Sequence, residues 1–155
     1  MWRRPDTGDS PVSYPAPTFS AVQGIFNAVD FNPAVTIIPF KTEVCSPIKY
    51  HNYKFNYGGP LRDSKAIRNG NNKQICATVL TDVCYRLYAY VLPCSDQETL
   101  RERYPRAYAW LQRTTCPQHA YQEMFNRCLR NGKSKRTPSL GWYAFLVSYY
   151  GSFRQ

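Results

Sequence analysis

Three sets of side chains in this sequence could do chemistry: two histidines, six cysteines, and a large group of basic residues interleaved with aromatic rings. His51 and His119 stand apart from each other and from any cysteine cluster, so neither has the neighbours a structural zinc site requires. Cys45, Cys76, Cys84, Cys94, Cys116 and Cys128 are widely spread and none forms a Cys-x-x-Cys pair. They read as reduced thiols buried as small hydrophobes, and no metal or other cofactor is expected.

The basic residues say more. Lysine and arginine number 20 against 10 acidic residues, and the excess is uneven. Residues 1–100 carry 10 basic and 8 acidic side chains, whereas residues 101–155 carry 10 basic and only 2 acidic. With 13 tyrosines, 8 phenylalanines and 3 tryptophans among them, this asymmetry points to nucleic acid. A solvated basic face is the plainer alternative. The candidate phosphate contacts are Arg127 and Arg130 on a helix, Lys133, Lys135 and Arg136 in the loop "GKSKRTPSLG" that begins at Gly132, and Arg86 between tyrosines.

Those residues need elements to hold them. Thr18 is a good N-cap for a helix whose Val22, Ile25, Phe26 and Val29 share a face, and Asn32-Pro33 stops it. Gly24 within that helix suggests close packing or a close ligand. Ala34 to Tyr50 has the composition of a strand, with Pro39 and Pro47 confining it to an edge or a bend. His51 to Lys73 reads as a long exposed loop or loose hairpin. Ile75 to Pro93 is the clearest strand, with Val83, Tyr85, Leu87, Ala89 and Val91 on the core side. Arg86 and its aromatic neighbours would face outward, either to stack bases or to cover a neighbouring helix.

A charged stretch broken by Pro105 suggests an irregular helical insertion, residues 93–115, on the surface. Pro117 then opens a second helix with Ala120, Tyr121, Met124, Phe125, Cys128 and Leu129 on one face and Gly132 as its stop, and Trp142 to Phe153 reads as a last strand. No apolar run is long enough to span a membrane, and no secretory pattern follows Met1, so a single cytoplasmic domain over 1–155 is expected. The order helix, strand, loop, strand, helix, strand matches an α+β, ferredoxin-like or RNA-recognition-type fold lacking its first strand. Its antiparallel sheet would carry two main helices.

Several stretches, taken in order, resemble the CRISPR-associated protein 5 family of type I-C (Dvulg) systems. They are Arg4-Pro5-Asp6, Ser13-Tyr14, Pro17-Thr18, Ala21, Gly24-Ile25, Pro33 and Pro47-Ile48 in the first third. Tyr57-Gly58-Gly59, Leu80, Asp82, Val83, Tyr85, Arg127, Gly132 and Leu140-Gly141 follow. The resemblance leaves out the insertion, the family's first strand and its C-terminal extension. It implies a domain that holds the 5′ handle of a CRISPR RNA beside other subunits of a surveillance complex, with Tyr57, Gly58 and Gly59 added to the RNA contacts.

Family members of this type also cut precursor RNA without a metal, using a tyrosine after the first helix and a Lys-His pair at the start of the second. Here the tyrosine position is Asp30, whose charge would repel a phosphate. The Lys-His position falls on Ala120 and Tyr121, and His119 could replace it only with a shifted helix start. Trp142, Tyr143 and Ala144 likewise replace the family's Arg-Glu-Phe. The resemblance therefore implies an RNA-binding subunit without cleavage. The alternatives are a catalytically dead copy from a mobile element that inhibits the host complex, and an active endoribonuclease using His119.

Overall fold

Thr18 does start the first helix: its hydroxyl accepts from the Ala21 N–H at 3.4 Å, and α1 runs over Phe19–Val29. This computed structural model describes residues 10–57, 64–69, 73–139 and 146–153. The described elements after α1 are β1 (Val35–Val44), β2 (Lys49–Tyr57), α2 (Ser64–Arg68), β3 (Lys73–Thr81) and β4 (Tyr85–Pro93). Three helices follow: α3 (Gln97–Arg103), α4 (Pro105–Arg113) and α5 (Pro117–Arg130). The α+β class and the antiparallel pairing are as expected.

The strands are nested. β1 pairs with β4 from Val35↔Pro93 to Val44↔Tyr85, and β2 pairs with β3 from Lys49↔Thr81 to Tyr57↔Lys73. The expected strand over 34–50 is therefore two strands, as is the one over 75–93, and of the loop or loose hairpin expected over 51–73, residues 51–57 pair as a hairpin strand. The two ladders are successive arms of one long ribbon, and the break between them has local causes. Asp82 takes a left-handed φ of 53°, a conformation Asp tolerates better than most residues, and Pro47 sits in the opposite strand's gap.

Within the proximal arm, β1 and β4, the register shifts between Pro39 and Lys41. Phe40 is the extra residue, and the bulge turns its ring onto the outer face. The distal arm, β2 and β3, gains a short parallel contact from the N-terminal segment. Ser13 donates to the Thr78 carbonyl and Thr78 to that of Pro11, both at 2.9 Å, beside the buried Ala77 and Val79.

Helices α1 and α5 pack against the proximal arm. Val35 and Ile37 from β1 and Tyr121 from α5 are buried together, with Phe26, Ala89, Val91, Trp110 and Phe125 around them. The alternation read in β4 holds over Leu87, Ala89 and Val91, because a period of two places them on this side. The 93–115 stretch is not a surface appendage. Pro105 occupies the first turn of α4, where its missing N–H costs nothing, and Leu100 and Leu111 are buried against Ala34.

Three smaller expectations are corrected. None of the six cysteines is buried; four are exposed and two intermediate. Trp142 to Phe153 is not a strand where it is described: Leu146 bridges Ser139, and the residues after it are irregular. Gly24 is exposed, and a β-carbon built there meets nothing within 4 Å. Its only effect is then the glycine penalty in a helix, so Gly24→Ala is expected to stabilise the chain by about 0.5–1 kcal/mol. Thermal unfolding checks this: Tm should rise, and a fall would mean that the open face is in use.

Candidate nucleic-acid interface

The C-terminus of α5 is built to turn a basic segment back across the molecule. Gly132 adopts φ +60°, its N–H donates to Leu129 at 3.2 Å, and the Lys133 N–H reaches Cys128 at 2.9 Å. This is a Schellman cap, in which a left-handed residue satisfies two carbonyls the helix leaves open. Because there is open space around Gly132, a side chain there meets backbone strain rather than a clash. Gly132→Ala is expected to cost about 1–2 kcal/mol, read by chemical denaturation, whereas Gly132→Asn should cost less.

The turned segment then docks on the end of α1. Lys135 N–H donates to Val29 and Arg136 N–H to Ala28, at 3.1 and 2.9 Å, filling carbonyls that a helix C-terminus cannot satisfy itself. The Lys135 ammonium lies 2.8 Å from the Asp30 carboxylate and also bonds the Phe31 carbonyl. The Asp30 backbone carbonyl accepts the Tyr121 hydroxyl at 2.5 Å. Asp30 is only 3% exposed, and its second carboxylate oxygen has no partner among the described residues. Burial, followed by the nearby Asp30 charge, raises the Tyr121 pKa far above the ordinary phenol range, so it remains a neutral donor.

This clamp leaves Arg127, Arg130, Lys133 and Arg136 exposed at one end of the molecule. Arg130 lies 3.9 Å from Glu123, an exposed contact worth little. The four cations can follow a run of phosphates. Lys135 is not available in the same way, since its head is committed to Asp30.

A second surface lies on the other side of the proximal arm, away from α1 and α5. Phe40 and Tyr90 stack there at 4.2 Å and 18°, and are 52% and 59% exposed. Beside them, Glu43 takes an ion pair from Lys41 at 2.6 Å, a hydrogen bond from the Tyr88 hydroxyl at 3.0 Å, and Arg86 at 3.7 Å. The bond from Lys41, then that from Tyr88, holds the Glu43 carboxyl below the usual carboxylate range. Arg86 also lies over the Phe153 ring at 5.4 Å. Among the described residues Tyr90 and Phe40 are exposed on this face beside Arg86.

The remaining sites do not converge. His119 is exposed in the first turn of α5, two residues before Tyr121 and so about 200° around the helix from the clamp. Tyr57 ends β2 opposite Lys73, about 27 Å along the strand from Lys49. Gly58 and Gly59, like Leu140 and Gly141, lie outside the described residues. The described residues hold no group of three or more His, Cys, Asp or Glu placed to bind a metal ion. None of their helices is long and apolar enough to cross a membrane.

The chain is 29% identical over 157 residues to the CRISPR pre-crRNA endoribonuclease Cas5d of Mannheimia succiniciproducens, covering 89% of this chain and 61% of that protein. It is similar to Cas5d. No family model matches. A solved structure described as a CRISPR-associated protein superposes with a TM-score of 0.59 at 20% identity, over 88% of this chain and 54% of that one. That agreement establishes the fold, and the chain spans less than two thirds of either relative. The similarity to Cas5d supports the CRISPR-associated relationship read from the motifs.

Proposed function

We propose that this chain binds CRISPR RNA, in the manner of a handle-holding subunit of a type I-C surveillance complex, and does not cleave it. The observation that carries this is the state of Asp30. Where the resembling family places a tyrosine after its first helix, this chain has a carboxylate that is 3% exposed and ion-paired to Lys135. A buried, paired carboxylate can neither take a proton from a ribose hydroxyl in solvent nor stabilise a phosphorane, which needs positive charge. His119 is exposed about 200° around α5 from Tyr121, away from the clamp.

Binding has its own support. The exposed Arg127, Arg130, Lys133 and Arg136 offer phosphate contacts, and the Phe40 and Tyr90 rings offer stacking planes on a second face. The test uses the full chain and labelled type I-C repeat RNA in chelator, with binding and cleavage read on parallel gels. Binding without cleavage is expected, with log affinity falling linearly with log salt. Site-specific cutting that His119→Ala abolishes would overturn the non-cleaving assignment. Absence of binding at low salt would overturn the RNA assignment itself.

A further inference from the structure

The last rung before the break in the ribbon carries a cysteine on each strand. Cys45 follows the Val44↔Tyr85 pair, and its N–H donates to the Cys84 carbonyl at 2.8 Å. The two are therefore directly opposite at a hydrogen-bonded position, where Cα atoms lie about 5.5 Å apart and side chains project to the same face. A disulfide spans Cα separations of roughly 4.4–6.8 Å. Both cysteines are exposed and both thiols are free. The Cys45 sulfur sits 3.8 Å from the Glu43 carbonyl, a weak contact.

The other exposed cysteines lack this arrangement. Cys76 lies opposite Lys54, and Cys116 precedes α5 with its sulfur near Gln118. They serve as internal controls for thiol reactivity without a cross-strand partner.

We infer that Cys45 and Cys84 form a reversible dithiol–disulfide site, oxidised by low-molecular-weight disulfides of the glutathione class. In the first step one cysteine thiolate attacks a glutathione disulfide sulfur, forming a mixed disulfide and releasing one glutathione thiolate. In the second, the opposite thiolate attacks the protein-bound sulfur and expels the other glutathione. Two protein thiols are oxidised and one glutathione disulfide is reduced to two thiols. A bond between two exposed cysteines falls among the labile disulfides that form and break with the redox poise.

The position gives the bond a mechanical role. It closes the rung beside the left-handed Asp82 and the Pro47 gap, where the pairing between the two described arms is interrupted. Oxidation ties the two strands to each other where the proximal arm ends. Reduction frees them.

The test exposes the full chain to oxidised glutathione under native conditions, alkylates the remaining thiols and maps products by mass spectrometry. The expected product has a Cys45–Cys84 crosslink, a mass change from that bond of about −2 Da, and separate glutathione adducts at Cys76 and Cys116. In Cys45→Ser, Cys84 should instead retain an adduct. Separate adducts on Cys45 and Cys84 in the unaltered chain, or crosslinks scattered over several cysteines, would overturn the proposal. Amide exchange should also slow over residues 45–49 and 81–85 on oxidation, and unchanged exchange would overturn the mechanical role.

Discussion

Replacing Lys135 with methionine is expected to destabilise the chain by about 2–4 kcal/mol, more than any other single substitution at the basic end. The reason lies in how unequally the two partners are buried. The Lys135 side chain is 54% exposed, whereas that of Asp30 is 4% exposed. Removing the lysine strands a desolvated carboxylate, and one of its oxygens already lacks a partner.

Asp30→Asn should be milder, at about 1 kcal/mol, since it leaves the lysine in water and keeps an acceptor in place. Denaturant titrations of both variants at neutral pH decide the matter. Equal costs would show that the carboxylate is not the vulnerable partner. The Lys135→Met variant should also bind RNA less well than Asp30→Asn, because the loop bearing Lys133 and Arg136 loses its anchor on α1.

The second large effect concerns binding. Replacing Arg127, Arg130, Lys133 and Arg136 together by glutamine should flatten the slope of log affinity against log salt by about 3, at about 0.7 per phosphate contact on a single strand. Affinity at moderate salt should fall on the order of 100-fold. Charge alone cannot account for such a change if position matters, so the control removes Arg101, Arg103, Arg106 and Arg113 from α3 and α4. Fluorescence anisotropy over a potassium chloride series should give the control a nearly unchanged slope. Equal slopes for both variants would reduce the contribution to net charge and remove the case for a defined interface.

Local signals told the truth about local structure. Thr18 as a cap, Pro117 and Gly132 as the limits of α5, and the alternation around Ala89 each depend on a few adjacent residues, and each holds. The nested ribbon was less legible. His51 to Lys73 is rich in asparagine and glycine, and the β2 side chains from His51 to Lys54 are exposed, so hydrophobic alternation is faint. The clamp joins Asp30, Tyr121 and Lys135 across the length of the fold, and no spacing rule connects such positions. One clue was present. An acidic residue at a helix C-terminus opposes the helix dipole and calls for a cation nearby, which Lys135 supplies.

The nested pairing also sets the order in which the chain can assemble. Bringing Val35 to Pro93 unaided closes a long loop, an entropic cost that grows with length, whereas Tyr57 and Lys73 close a short one. Once the inner rungs exist, each further rung adds contact without enlarging the loop, so the ribbon zips outward toward the helices. The arm with little core thereby sets the folding rate, while the arm against α1 and α5 sets the lifetime of the folded state. In stopped-flow measurements Ala77→Gly should mainly slow refolding and Ile37→Val mainly speed unfolding. The reverse pattern would place the nucleus in the helix-packed arm.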